Sequence, residues 1–285
     1  MSGVDAASTS YGLTRSALDG IESAIARAGA MEIMPRFDAL REGDVREKTS
    51  RFDVVTDADE AAEAAIAGYL RDAFPGAVVI GEESTARHPD LLARIADADV
   101  AFIIDPLDGT KNFSDGLPLF GTIVAAVSND VVIGGVIHDP VTRRSAFALK
   151  GNGAWLRDAD GGERALRAAA PAPMAQMEGI VGTHFLPEPL KSRVNANRAR
   201  LGLTTWFRCS AHEYRLIASG RCHVILYNKL MPWDHAAGWL LHREAGGYSA
   251  HFDGSAYRPS HTTGGLLCAP DEASWRMVRE ALFEG

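Results

Sequence analysis

Asp105 and Asp108 close an apolar run, Val100-Ala101-Phe102-Ile103-Ile104, and stand immediately before Gly109-Thr110. The run reads as a buried strand. Two carboxylates three residues apart at the end of such a strand are costly to desolvate unless something cationic pairs them. An Asp-x-x-Asp-Gly-Thr turn meets that cost by holding a hard cation. It leaves the Gly and Thr amides free for an anion such as phosphate. Any fold this chain adopts must place the turn at the edge of its core.

A chain of 285 residues, 46% hydrophobic and 23% charged, can bury a sizeable core as one large domain or as two lobes sharing a cleft. The net charge of -8 argues against a general nucleic-acid-binding surface. A negative protein that takes an anionic substrate needs local positive charge, and metal ions supply it. Cys209, Cys222 and Cys268 are far apart and form no CxxC pair, which suits buried thiols in a reducing compartment. Met1 to Ser10 lacks a basic region followed by an apolar core, so no signal peptide is expected. No run reaches the roughly 20 apolar residues of a membrane span. The expectation is a cytoplasmic protein without a membrane partner.

Helical spacing runs from Thr14 to about Leu40, and Gly43 to Asp53 is polar and loop-like. A helix starting at Thr56, with Asp59 three residues on in capping-box spacing, stops at Pro75-Gly76. Ala77–Ile80 is a short strand ending in Gly81-Glu82-Glu83-Ser84. Strand signals at Val100–Ile104, Thr122–Val127, Val131–His138, Ser145–Leu149 and Ala154–Leu156 predict a largely antiparallel meander. From about 158 strands and helices alternate: strand 179–183, helix 188–200, strand 205–208, helix 213–219, strand 223–227, helix 234–245, strand 265–269 and helix 271–283. The expected organisation is one unit, 1–285, of two lobes: 1–157 with helices and the meander, and 158–285 of α/β type.

Three acidic clusters stand at element ends: Glu82-Glu83, Asp105/Asp108, and Asp234 within Pro232-Trp233-Asp234-His235-Ala236-Ala237-Gly238. Each alone has an ordinary explanation, as a solvated loop, a structural turn or a helix N-cap. Together they resemble the inositol monophosphatase family, within the wider group of metal-dependent, lithium-sensitive phosphatases. The signature Asp-Pro-x-Asp-Gly-Thr is matched by Asp105–Thr110, the word Gly-Glu-Glu-Ser by Gly81–Ser84, and the C-terminal Trp-Asp word by Trp233–Gly238. Lys48 with Asp53-Val54-Val55-Thr56-Asp57-Ala58-Asp59 matches an early word, so four words occur in family order.

The resemblance implies an α+β, layered α-β-α-β-α sugar-phosphatase fold with the metal cleft between the lobes, and a homodimer. It implies two to three Mg2+ ions, with Mn2+ an alternative. Glu83, Asp105 and the Leu107 carbonyl would hold the first ion. Asp105, Asp108 and Asp234 would hold the second, and Glu83 would help with a weaker third. Thr110, bonded to Asp59, would activate the attacking water. The Gly109 and Thr110 amides would grip the phosphate. His235 reads as structural, because oxygen-rich magnesium sites rarely use imidazole.

The chain departs from the family where substrate is selected. Inositol-specific members carry a Glu seven residues before the Trp-Asp aspartate; here that position is Tyr227. The segment Arg208-Cys209-Ser210-Ala211-His212-Glu213 replaces a Gly/Ala/Thr-rich turn. Arg208, His212 and Glu213 either rebuild the pocket or merely start a helix. The expected activity is Mg2+-dependent hydrolysis of a small phosphorylated metabolite, represented by myo-inositol 1-phosphate, with histidinol phosphate the nearest alternative substrate. Two other readings stay open. One is a non-catalytic binding protein for a transcription or RNA complex. The other is a structural calcium site, although no EF-hand loop is present.

Overall fold

The run Val100–Ile104 is continuously apolar because both faces of its strand are covered. Val100, Phe102 and Ile104 point into one core, and Ala101 and Ile103 into another. The structure, a computed structural model, describes residues 12–40, 43–50 and 53–284; Met1 to Ser10 and the side chain of Asp53 lie outside that description.

Helix α1 (Arg15–Ala28) is followed by a hairpin of β1 (Val45–Ser50) and β2 (Asp53–Thr56), then α2 (Asp57–Ala73). Next come β3 (Val78–Gly81), α3 (Glu82–Arg87), α4 (Arg94–Asp97), β4 (Ala101–Asp108) and α5 (Thr110–Ser114). The meander is β5 (Gly121–Ser128), β6 (Val131–Asp139), β7 (Arg144–Leu149), β8 (Ala154–Arg157) and β9 (Glu163–Ala165). The remainder is β10 (Glu178–Val181), α6 (Leu190–Asn197), β11 (Leu203–Thr205), α7 (Ser210–Ala218), β12 (Val224–Tyr227), α8 (Pro232–Glu244), β13 (Tyr248–Ala250), β14 (Leu266–Ala269) and α9 (Glu272–Phe283).

A seven-stranded sheet runs β3-β4-β5-β6-β7-β8-β9, parallel between β3 and β4 and antiparallel from there on. A five-stranded sheet runs β11-β10-β12-β14-β13, with β10 parallel to both its neighbours. Leu18, Ile21 and Ile25 of α1 and Ile66 and Leu70 of α2 cover one face of the larger sheet. Tyr214 and Ile217 of α7 and Ala236, Leu240 and Leu241 of α8 fill the space between the sheets. They meet Ile103, Ile123 and Ile137 on one side and Ile180 and Ile225 on the other. Val194 of α6 and Trp275, Val278 and Leu282 of α9 cover the outer face of the smaller sheet. The layers are therefore α-β-α-β-α, and the fold is α+β. Close approach of α8 needs a missing side chain on β6, since a Cβ at Gly135 would lie 2.9 Å from the Ala237 Cα.

Several boundaries differ from expectation. The first helix is regular only to Ala28; a π turn (Gly29–Ile33) and a 3-10 turn containing Pro35 follow. The polar stretch 43–53 holds β1 and the first residue of β2, and β1 has no apolar alternation to betray it. The strand expected at 205–208 is β11, which ends at Thr205. Edge strands β9 and β13 had no signal, and all three residues of β9 are exposed.

Candidate active site

In a regular strand Asp105 and Asp108 would point to opposite faces. The β4–β5 register shifts between these two residues. Pro106 contributes no N–H, Asp105 Oδ1 accepts the Leu107 amide at 3.1 Å, and Thr122 Oγ1 donates to the Pro106 carbonyl at 3.0 Å. This irregularity turns both carboxylates to one side. Asp234 joins them from the first turn of α8, whose first residue is Pro232. One carboxylate oxygen from each of Asp105, Asp108 and Asp234 lies within 4.8 Å of the others.

Such a group is electrostatically unfavourable by itself. Burial pushes the Asp105 and Asp234 carboxyls well above the usual range, and Glu82 and Asp108 push both further. Asp108 is also raised by burial. It is opposed by the start of α7: Asp108 Oδ2 accepts the Ala211 amide at 2.6 Å and the Cys209 thiol at 3.0 Å. These are hard, all-oxygen donors concentrated in one buried spot, and their chemistry fits divalent magnesium or manganese.

The surroundings of Glu83 set it apart from the three aspartates. Glu83 is buried, and its Oε1 accepts from Lys48 Nζ at 2.5 Å. Glu82 Oε1 also accepts from Lys48, at 2.8 Å, and after burial its charge is the foremost influence on Asp105 and Asp234. Adjacent residues at a helix start point in different directions, which the word Gly-Glu-Glu-Ser does not resolve. Burial, reinforced by Glu82 and countered by Lys48, pushes Glu83 up to about 7. Burial pulls Lys48 down, but both glutamates more than reverse this and hold its ammonium above the usual lysine value.

Asp59 both caps a helix and reaches the site. Its Oδ2 accepts the Thr56 amide at 2.8 Å and the Thr56 hydroxyl at 2.6 Å, closing the capping box of α2. Its Oδ1 lies 2.9 Å from Thr110 Oγ1, which is also 2.9 Å from the Leu107 carbonyl. Burial pushes Asp59 up to about 6 despite the Thr56 bonds. Gly109 links β4 to α5 with φ +87°, a left-handed conformation, and a Cβ there would lie 2.8 Å from the Leu119 carbonyl.

The residues singled out for substrate separate into two groups. Tyr227 and Glu213 come together: the phenol donates to Glu213 Oε2 at 2.7 Å, and Glu213 Oε1 accepts the Phe207 amide at 3.0 Å. Glu213 is buried and feels the charge of Asp108, so the pair borders the acidic group. His212 does not join them. Its Nε2 contacts the Phe120 carbonyl at 3.1 Å, and the charges acting on it are Arg215 and Asp139. Arg208 adopts φ +56° and turns its guanidinium toward Asp115, 3.5 Å away. His235 is structural, as expected. Its Nδ1 meets the Tyr214 hydroxyl at 3.2 Å, its Nε2 meets the Lys229 carbonyl at 2.9 Å, and burial lowers it to about 4.

The family model described as Inositol monophosphatase family matches residues 15–283. The chain belongs to the inositol monophosphatase family.

Membership makes this chain a phosphatase-class hydrolase of a metal-dependent family. It is 32% identical over 237 residues to "Nus factor SuhB" of Haemophilus influenzae, covering 81% of each chain. It is 31% identical over 215 residues to "Fructose-1,6-bisphosphatase/inositol-1-monophosphatase" of Thermotoga maritima, covering 75% of this chain and 77% of the relative. The solved suhB protein of Bartonella henselae superposes with a TM-score of 0.82 at 26% identity, over 95% of this chain and 99% of that one.

One supporting residue of this inositol monophosphatase relative escaped sequence reasoning. Glu63 accepts the Glu83 amide at 2.7 Å and the Ser84 amide at 2.8 Å, so it fixes the start of α3 and hence where Glu82 points. Its one signal in the sequence was the i, i+4 spacing from Asp59 on α2.

Proposed function

We propose that this protein is a divalent-metal-dependent phosphomonoesterase acting on a small phosphorylated metabolite, with Mg2+ as the resident ion. The observation that carries the reading is the convergence of Asp105, Asp108 and Asp234 within 4.8 Å at the irregular end of a buried strand. In this reading Asp105, Asp108, Asp234 and the Leu107 carbonyl hold two to three ions, with Glu82 rather than Glu83 as the neighbouring glutamate. Bound cations would neutralise the phosphate and make a water more acidic. Thr110 positions the attacking water, and Asp59 orients the Thr110 hydroxyl and accepts the proton it relays from that water, while the leaving alkoxide takes a proton from solvent water. The Gly109 and Thr110 amides bind phosphate oxygens. Attack is direct and in line, without a phospho-enzyme.

The representative substrate is myo-inositol 1-phosphate, with histidinol phosphate the alternative. The reading takes residues 1–285 as a single unit, active as a homodimer and cytoplasmic. Three buried free cysteines suit a reducing compartment, and no described helix is long and apolar enough to cross a membrane.

The test is phosphate release from inositol 1-phosphate, histidinol phosphate, fructose 1,6-bisphosphate and 3′-phosphoadenosine 5′-phosphate, with and without Mg2+. Metal-dependent turnover that disappears in Asp105→Asn supports the reading; turnover unchanged by that substitution sinks it. A second reading, a partner-binding role in a transcription or RNA complex, draws on the name "Nus factor SuhB" carried by relatives 32% to 34% identical. Partner binding that survives Asp105→Asn would separate that role from catalysis.

A further inference from the structure

A surface cavity of about 420 Å3 opens beyond the ends of β10 and β11 and against α6 and the residue that follows it, Arg198. Thr183, His184, Lys191, Arg198, Thr205 and Trp206 line it, and none of its lining residues is a carboxylate. That is a local inversion in a chain with 37 acidic and 29 basic residues. Among the described residues Lys191 and Arg198 form no ion pair, so both cations are available to an anion. Thr205 Oγ1 is buried without a hydrogen-bond partner among the described residues.

The same cavity has an aromatic component. The His184 and Trp206 rings are within 19° of parallel, with centroids 6.4 Å apart. Two ring-to-ring contacts at about 3.5 Å each need about 7 Å, so a small opening of this pair admits a planar ring against the indole. Trp206 is 47% exposed, which is unusual for a large aromatic without a partner surface. The volume is that of a small-molecule site.

We propose that this cavity binds a nucleoside monophosphate, with the base against Trp206 and the phosphate between Lys191 and Arg198. Such a site shares no lining residue with the acidic group, yet it adjoins along the chain a segment that contacts that group. Three residues beyond Trp206, the Cys209 thiol donates to Asp108. Occupancy at Trp206 therefore bears on the segment that orients a carboxylate of the active site.

The experiment is calorimetric titration of the full chain with AMP in the absence of divalent cations. The wild type and Asp105→Asn should bind equally, with one AMP per chain. Trp206→Ala should weaken binding about 5- to 150-fold, the range expected for loss of one base-stacking ring, and Trp206→Phe should restore most of it. Arg198→Ala and Lys191→Ala should weaken AMP but leave the weaker binding of adenosine unchanged. Both positions are at the surface, and an unchanged far-UV spectrum checks that the variants fold. Binding that requires divalent cation, vanishes in Asp105→Asn and survives Trp206→Ala would assign AMP to the acidic group and overturn the proposal. So would no binding at millimolar AMP. Because the readout is binding without turnover, failure of the phosphatase reading leaves this result standing.

Discussion

The Tyr227 hydroxyl donates its proton to Glu213 across 2.7 Å, which leaves the phenol oxygen only its lone pairs for a further partner. A phenol in a sequence reads as donor or acceptor alike. Here the buried carboxylate behind it selects the acceptor role. Tyr227 thereby keeps an acceptor oxygen beside a glutamate that feels the Asp108 charge.

Tyr227→Phe removes that acceptor and leaves Glu213 buried with one partner fewer. The expected outcome is a raised KM for polyol phosphates with a smaller change in kcat, read from initial rates on the substrate panel. An equal fall of kcat on every substrate, with KM constant, would show that the pair does not contact substrate.

Glu213 also gives a pH signature. Burial raises it from 4.5 to about 7, with the Tyr227 and Phe207 bonds opposing. The folded chain keeps a proton that the unfolded chain releases above about 4.5. The corresponding stability is fully present below that pH and is lost as pH rises through about 7. Glu213→Gln should therefore stabilise the metal-free protein by about 3 kcal/mol at pH 8 and by less than about 1 kcal/mol at pH 5. Denaturant melts at the two pH values check this, and an equal effect at both would contradict it.

Asp105→Asn removes one member of the repelling carboxylate group. The metal-free variant should melt higher than the wild type, and added Mg2+ should no longer raise its Tm. Its kcat should fall by about two orders of magnitude or more. A Mg2+ shift in Tm equal to that of the wild type would remove Asp105 from the ligand set.

Glu82 and Glu83 are separated by one titration. Glu82→Gln should raise the Mg2+ concentration for half-maximal activity about tenfold or more, because its charge acts on Asp105 and Asp234. Glu83→Gln, which alters the contact with Lys48, should raise it less. The reverse order would return the role to Glu83.

Lithium at millimolar concentration should inhibit phosphate release in the presence of Mg2+. Full activity under those conditions would set this chain apart from the lithium-sensitive behaviour that its sequence words imply.

Much of the site was legible because its determinants are local. The run Val100–Ile104 announced a strand covered on both sides, and Thr56 with Asp59 announced a helix start; both are found. Asp105, Asp108 and Asp234 could be named from short words, since the turn that aims the first two is built from their immediate neighbours, including Pro106. The hairpin at 45–56 and edge strands β9 and β13 were not legible, because their pairing depends on partners rather than on an apolar period of their own.

What the sequence alone determined is the family, the order of the main core strands and helices and the identity of three convergent aspartates. Tertiary structure decided the rest. Glu63 reaches the Glu83 and Ser84 amides from 20 and 21 residues away, and so fixes the start of the helix that carries Glu82. Cys209 and Ala211 engage Asp108 from more than 100 residues away. Glu213 engages the Tyr227 proton, and the 183–206 cavity brings two cations of α6 and its C-cap together with rings that follow β10 and β11. The division is physical. Backbone turns and burial periods are written in neighbouring residues, whereas a side chain's direction and charge depend on what packs against it. That is settled only when α7 and α8 are enclosed between the two sheets.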